Sequence, residues 1–290
     1  MAAKEKREFR LLATCEDAVG IVAAVTGCLA EHGGSIVEAN QFSDPDTNTF
    51  FMRYVIDAES LPFDGAGLEK ALQPVTDRFT MNCRIADTAQ PHRVLILVSK
   101  TSHCLNDLLY RWRTKDMDFE VIGVVSNHDD HRDEVERRGI PYHHIPMPKD
   151  PQAKEEGFVE TARLIDELNP QTIVLARFMQ ILPGWMCSRY PGRIINIHHS
   201  FLPAFAGARP YHQASERGVK LTGATCHYVT SDLDAGPIIE QDVVRISHHD
   251  SLQDIVRLGK DVEKTVLSRG LRYHLEDRVL VHGNKTVVFR

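Results

Sequence analysis

The chain has 290 residues, 42% hydrophobic and 26% charged, with a formal net charge of −6. That balance excludes a disordered or fibrous chain, and the lack of any Lys/Arg cluster argues against a nucleic-acid or acidic-membrane surface. The length suits one large domain or two smaller ones, and every apolar run falls short of the roughly 18 residues a membrane helix needs. In chain order, the start MAAKEKREF lacks the apolar core of a signal peptide. Glu8–Cys15 reads as a strand. Ile21, Val22, Val25, Cys28 and Leu29 recur at helical spacing, and Gly33-Gly34 stops that helix. Ser35–Phe42 and Asn48–Ile56 read as strands joined by SDPDTN. Gly67–Arg78 reads as a helix and Phe79–Ile85 as a strand. The order βαββαβ is the ferredoxin-like pattern. It sets a first domain at 1–87, a polar linker at 88–92 and a second domain at 93–290.

After the linker the rhythm changes. Arg93–Ser99 is a continuous apolar run, as in a buried parallel strand. A helix near Leu105–Thr114 follows, then strands at Phe119–Ser126 and Tyr142–Ile145. A helix at Gly157–Asn169 precedes strands at Thr172–Ala176 and Arg193–Ile197. Alternating β and α units imply a doubly wound, mostly parallel sheet of Rossmann-like type, so the fold class is α/β. Thr222–Val229 and Pro237–Ile246 read as longer strands of a mixed sheet. Ser251–Leu275 reads as a long helix, and Arg278–Phe289 as a hairpin turning at Gly283-Asn284. The six cysteines are scattered without a C-x-x-C pair, so buried free thiols in a reducing cytoplasm are expected.

In an open α/β sheet, ligands bind beyond the carboxyl ends of the strands. The strand RIINI ends there and delivers NIHHSFLPAFAGARP. Asn196 and His198 are two apart, so an extended backbone points both to one side, with His199 to the other. A carboxamide donating to an oxyanion and an imidazole moving a proton can act together on a carbonyl. Read alone, such a pair is more often a hydrogen-bonded turn. TSDLDAGPIIEQ supplies Asp232, Asp234 and Gly236 before an apolar strand, and a carboxylate there could orient His198. The clusters NHDDH (His128 to His131) and SHHD (His248 to Asp250) read as helix starts rather than metal sites, since neither has H-E-x-x-H spacing. His143, His144, His212 and His227 read as solvated or hydrogen-bonded structural residues, His227 on a strand able to line the site.

NIHHSFLPAFAG resembles the N-I-H-P-S-L-L-P signature of the tetrahydrofolate-dependent formyltransferases, and LDAGPII resembles their D-x-G-P-I-I loop. The resemblance covers nearly all of 8–290, with an ACT-like first domain. It implies that Asn196 hydrogen-bonds the formyl oxygen. His198 would transfer protons and stabilise the oxyanion, and Asp234 would position His198 and help order a water. His199 departs from the usual proline and Phe201 from a leucine. The ribonucleotide transferases carry a G-x-G-S-N-L turn after the first strand, whose amides hold a substrate phosphate. Here the matching stretch SKTSHCLNDLL has no glycine, so close backbone approach to a phosphate is disfavoured. Without that anchor, water can be the acceptor.

The resemblance therefore implies the hydrolytic branch of the family, cleaving 10-formyltetrahydrofolate to formate and tetrahydrofolate. Such an enzyme supplies formate for purine synthesis and balances the one-carbon folate pool. Transfer of the formyl group to an unknown amine is the alternative, and a non-catalytic amino-acid sensor that only binds folate is a third. Folate contacts are implied at Arg177, Phe178, Met179, Leu182, Ser200, Gly207, Asp232 and Gly236, with His103 either a helix start or a substrate contact. Read bottom-up, the side chains of Phe178, Met179, Ile181 and Leu182 read as core, which leaves main-chain groups of Arg177 and Leu182 for pterin hydrogen bonds. No metal and no cofactor beyond the folate substrate is expected. The ACT-like domain implies a homo-oligomer paired through sheets or helices, with an amino-acid effector at Asp17–Gly20 and Gly33-Gly34 as an option. No nucleic-acid or membrane partner is expected.

Overall fold

Alternation along β1 (Glu8–Glu16) sends Phe9, Leu11, Ala13 and Cys15 to one face of a sheet. That face is covered by α1 (Ile21–Glu31), through Ile21, Val25 and Leu29. β2 (Ile36–Asp44) and β3 (Thr49–Asp57) follow, then α2 (Gly65–Arg78) and β4 (Asn82–Asp87). Leu68 and Leu72 of α2 complete the layer. The strands are antiparallel in the order β2-β3-β1-β4, which is the expected βαββαβ arrangement. β4 begins at Asn82 rather than Phe79: the Phe79 N–H still bonds the Val75 carbonyl at the helix end, and Thr80 turns the chain at φ 48°.

The computed structural model describes residues 6–204 and 210–290. The chain divides into two compact units, His92–Leu275 with Val281–Thr286, and Met1–Pro91 with Glu276–Leu280 and Val287–Arg290. The last segments, expected with the second domain, thus belong partly to the first. Leu280 and Phe289 pack on Leu12 and Phe51, the sheet face opposite the helices.

The second unit runs β5 (Arg93–Val98), α3 (His103–Thr114), β6 (Glu120–Ser126), α4 (Arg132–Glu136), β7 (Tyr142–His144) and α5 (Pro151–Leu168). It continues with β8 (Thr172–Leu175), α6 (Gly184–Arg189), β9 (Ile194–His198), α7 (Pro210–Glu216), β10 (Leu221–Tyr228), β11 (Ile238–Arg245) and α8 (Leu252–Leu275). β12 (Val279–His282) and β13 (Lys285–Val288) form the C-terminal hairpin. α5 starts earlier than its apolar stripe suggested, because Asp150 caps the Ala153 N–H and Pro151 opens the first turn.

The sheet order is β11-β10-β9-β8-β5-β6-β7. β5 to β9 are parallel, and β10 runs against them, pairing antiparallel with both β9 and β11. Strand order reverses between β5 and β8, the position where open α/β sheets bind ligands. Ser99, Arg177 and His198 lie at the carboxyl ends of β5, β8 and β9, side by side at that edge.

Candidate active site

β9 fixes the first two groups. Its alternation places Asn196 and His198 on one side, and antiparallel pairing sets them opposite His227 and Thr225 of β10. The β10–β11 loop brings the third. His198 Nδ1 lies 3.2 Å from Asp234 Oδ1, with side chains only 6% and 9% exposed. A carboxylate only accepts, so the His198 proton sits on Nδ1 and the lone pair on Nε2. That Nε2 is buried and has no hydrogen-bond partner among the described residues. An imidazole locked in this tautomer is a general base aimed away from its carboxylate. Asp234 reaches it from φ 54°, a left-handed conformation that Asp tolerates. Gly236 is required two residues later: a Cβ there would stand 1.9 Å from the Tyr228 carbonyl oxygen. Asp232 is exposed, and its carbonyl accepts from Thr230 Oγ1 and the Ala235 N–H.

His199 does not point away as strand alternation suggested, because β9 ends at His198. Its ring packs 5.2 Å from His198 and 5.7 Å from Tyr211. Burial, then the nearby Arg177 charge, pushes its pKa down to about 3, so it stays neutral.

Arg177 and His103 meet at a group the sequence reading missed, Glu263 on α8, which is 0% exposed. His103 Nε2 donates to Glu263 Oε2 at 2.8 Å, and the Tyr211 hydroxyl donates to Oε1. Arg177 Nε lies 3.3 Å from Oε2, a charge contact without hydrogen-bond alignment. Burial pushes the Glu263 carboxyl up, but the His103 bond, the Arg177 charge and the Tyr211 bond outweigh it and hold the group ionised. The signal was present: Glu263 lies on the apolar stripe of α8 with Ile255, Gly259 and Val266. His103, Cys104 and Glu263 also offer metal-ligand atoms within 4.8 Å of one another. Both Glu263 oxygens are engaged, however, and burial holds the Cys104 thiol protonated, so the set is satisfied as an ion-pair cluster.

Arg177 itself adopts φ 66°, unusual for a long side chain. Its carbonyl accepts from the Ser99 N–H at 3.2 Å, and the Met179 N–H donates to Ser99 Oγ at 3.0 Å, which holds the turn from both sides. Phe178 and Leu182 are buried in the core, as their bland reading had it, while Met179 and Ile181 are exposed. Ser200 Oγ is used inside its own turn, donating to the Ala204 carbonyl. Gly207 lies outside the described residues. His131 precedes α4 without a side-chain cap bond, its ring bonding the Ser99 carbonyl instead, whereas Ser251 and Asp254 cap α8 reciprocally.

An α/β sheet with a carboxamide, an imidazole and a carboxylate beside its strand-order reversal has the groups for catalysis at a carbonyl. Residues 92–271 match the formyl transferase family model, and 9–62 match the ACT domain model. A formyltetrahydrofolate deformylase of Bacillus subtilis is 47% identical over 281 residues, spanning 97% of this chain and 93% of its own. The crystal structure of a formyltetrahydrofolate deformylase from Pseudomonas syringae pv. tomato is 56% identical with a TM-score of 0.96, spanning 100% of this chain and 96% of that one. Glycinamide ribonucleotide transformylase 1 from Symbiobacterium toebii shares 27% identity and a TM-score of 0.65, and covers 70% of this chain and 97% of that one. The chain belongs to the formyl transferase family, in its formyltetrahydrofolate deformylase branch with an ACT domain.

Proposed function

We propose that this protein hydrolyses 10-formyltetrahydrofolate to formate and tetrahydrofolate. The observation that carries the mechanism is the His198–Asp234 pair, which leaves His198 Nε2 unpartnered on the side of β9 that Asn196 shares. Nε2 takes a proton from water as its oxygen attacks the formyl carbon. The carbonyl electrons move onto oxygen, where an Asn196 N–H and the new imidazolium stabilise the charge. The imidazolium then returns the proton to the amine nitrogen of the folate as the C–N bond breaks, giving the free amine and formic acid, which releases its proton to solvent as formate. An oxyanion donor contributes about 10²–10³ in rate and general acid–base help roughly 10²–10⁴. In this reading the chain's own groups supply the base and the oxyanion donor, and the folate is a substrate rather than a cofactor.

The first βα turn supports water over an amine as acceptor. Helix α3 opens there at His103, which is tied to Glu263, and no glycine offers its backbone to a phosphate. The test is formate release with no amine present. His198→Ala and Asp234→Ala should each lose at least about 10²-fold in kcat while their melting curves stay cooperative. Formate release that requires an added amine would establish transfer instead.

The released formate would feed purine synthesis and balance the one-carbon pool, in a reducing cytoplasm that suits six free cysteines. No described helix is long and apolar enough to cross a membrane. The ACT unit is proposed to pair with a second copy and to take an amino-acid effector at the loop of Asp17–Gly20. Exposed Val37 and Phe42 on the edge strand β2 support a sheet-to-sheet contact. A monomeric mass in light scattering, unchanged by amino acids, would remove that part.

A further inference from the structure

We infer that His227 is a positioning residue for this hydrolysis, holding the Asn196 carboxamide with one N–H engaged and the other free to meet the formyl oxygen. The inference rests on the reading above and extends it to a side chain outside the His198–Asp234 pair.

Donor and acceptor logic leaves one arrangement. His227 Nδ1 lies 2.9 Å from the Tyr228 carbonyl oxygen, which can only accept, so the proton is on Nδ1. Nε2 then carries a lone pair, and it lies 3.2 Å from Asn196 Nδ2. Only the amide nitrogen, not the amide oxygen, can face that lone pair. The flip of the Asn196 carboxamide is thereby fixed, and its second N–H remains a donor. The reversed flip would set the amide oxygen against the His227 lone pair and bring a second oxygen toward the developing oxyanion.

The placement is built into the sheet. Asn196 and His227 are direct cross-strand partners, and the β10–β11 ladder shifts register between Cys226 and His227, the kind of irregularity that re-aims a side chain beside a site. His227 is 2% exposed, so water does not compete for Nε2. Burial also disfavours its charged form, which keeps the accepting tautomer through the neutral range. The Tyr228 carbonyl that sets the tautomer is the one that Gly236 passes so closely. The Asp234 loop and the Asn196 amide are thus adjusted through one peptide group.

Two measurements test this. Nitrogen-15 resonances of the wild-type His227 imidazole should show a protonated Nδ1 and a bare Nε2; a protonated Nε2 overturns the proposal, whatever the substrate proves to be. His227→Phe removes the acceptor, while His227→Gln keeps an oxygen near the Nε2 position. The Phe variant should lose about tenfold to hundredfold in kcat for 10-formyltetrahydrofolate with KM little changed, and the Gln variant should recover most of it. Added to Asn196→Ala, His227→Phe should cost less than about threefold, since nothing remains to be positioned. Equal losses with and without Asn196 would mean a structural role and overturn the proposal. If the Phe variant does not fold, the imidazole resonances and the Gln variant decide. Wild type that releases no formate would sink the hydrolase reading and leave the tautomer result standing.

Discussion

Glu263 concentrates the electrostatics of the second unit at one residue. It is a full charge with no exposure, and it survives there because His103, Tyr211 and Arg177 converge on it. Removing one partner of a buried pair leaves the other charge uncompensated, at a cost of about 3–5 kcal/mol. Glu263→Gln should therefore be destabilised by that order at pH 7, with Arg177 as the stranded group. The sign of the pH dependence follows from the shift. The Glu263 pKa is lowered in the folded protein, so its contribution is complete above the unfolded value, about 4.3, and is lost as pH falls through the lower folded value. The stability gap between wild type and Glu263→Gln should narrow as pH drops from about 5 towards 3. Urea unfolding at several pH values checks this, and a gap that stays constant would show that Glu263 acts through packing alone.

Elements carry these residues to their places, and periodicity made some of them legible. The alternation of NIH predicted that Asn196 and His198 share a side of β9, and the structure places them so. β1 and β3 were legible as strands, though which of their faces lies under α1 and α2 was not read from the sequence. Beyond the elements, legibility depended on two motifs read as a pair: nothing in the spacing of Asp234 tells that its loop folds back on His198. Contacts without any motif stayed hidden. Glu263 meets His103 across 160 residues of chain, a distance at which local propensity says nothing. Its helix signalled only that Glu263 shares the buried stripe, where a Cβ at Gly259 would fall 2.3 Å from the Tyr211 ring. That close approach seats Tyr211 one helical turn from Glu263, on the same face of α8. α7 was missed because Pro203, Gly207 and Pro210 read in the sequence as helix breakers, and the early start of α5 because its cap lies outside the apolar stripe. His227 looked like any strand histidine until the Tyr228 carbonyl assigned its proton.

At the scale of the whole molecule, the C-terminal segment decides how the chain can be divided. Sequence rhythm placed everything after residue 92 in one domain, yet Glu276–Leu280 and Val287–Arg290 belong to the first unit. β3 explains why. One face of β3 lies under the helices, and the other carries Phe51 and Arg53, which would face water without a cover. Arg53 is 2% exposed; its guanidinium donates to the Glu276 carbonyl at 2.9 Å and pairs with Glu38. Asp277 pairs with both Arg10 and Arg84, and Leu280 and Phe289 close over Leu12 and Phe51. A chain ending at Leu275 should therefore keep the seven-stranded sheet but lose the first unit's cover, exposing a buried cation together with an apolar face. Loss of one large buried side chain costs about 2–5 kcal/mol, so Leu280→Ala in the full chain should already lower the melting temperature. The truncation should lower the melting temperature of the first unit further and leave that of the second nearly unchanged. A truncated chain that melts like the full one would show that residues 276–290 lie against the first unit without stabilising it.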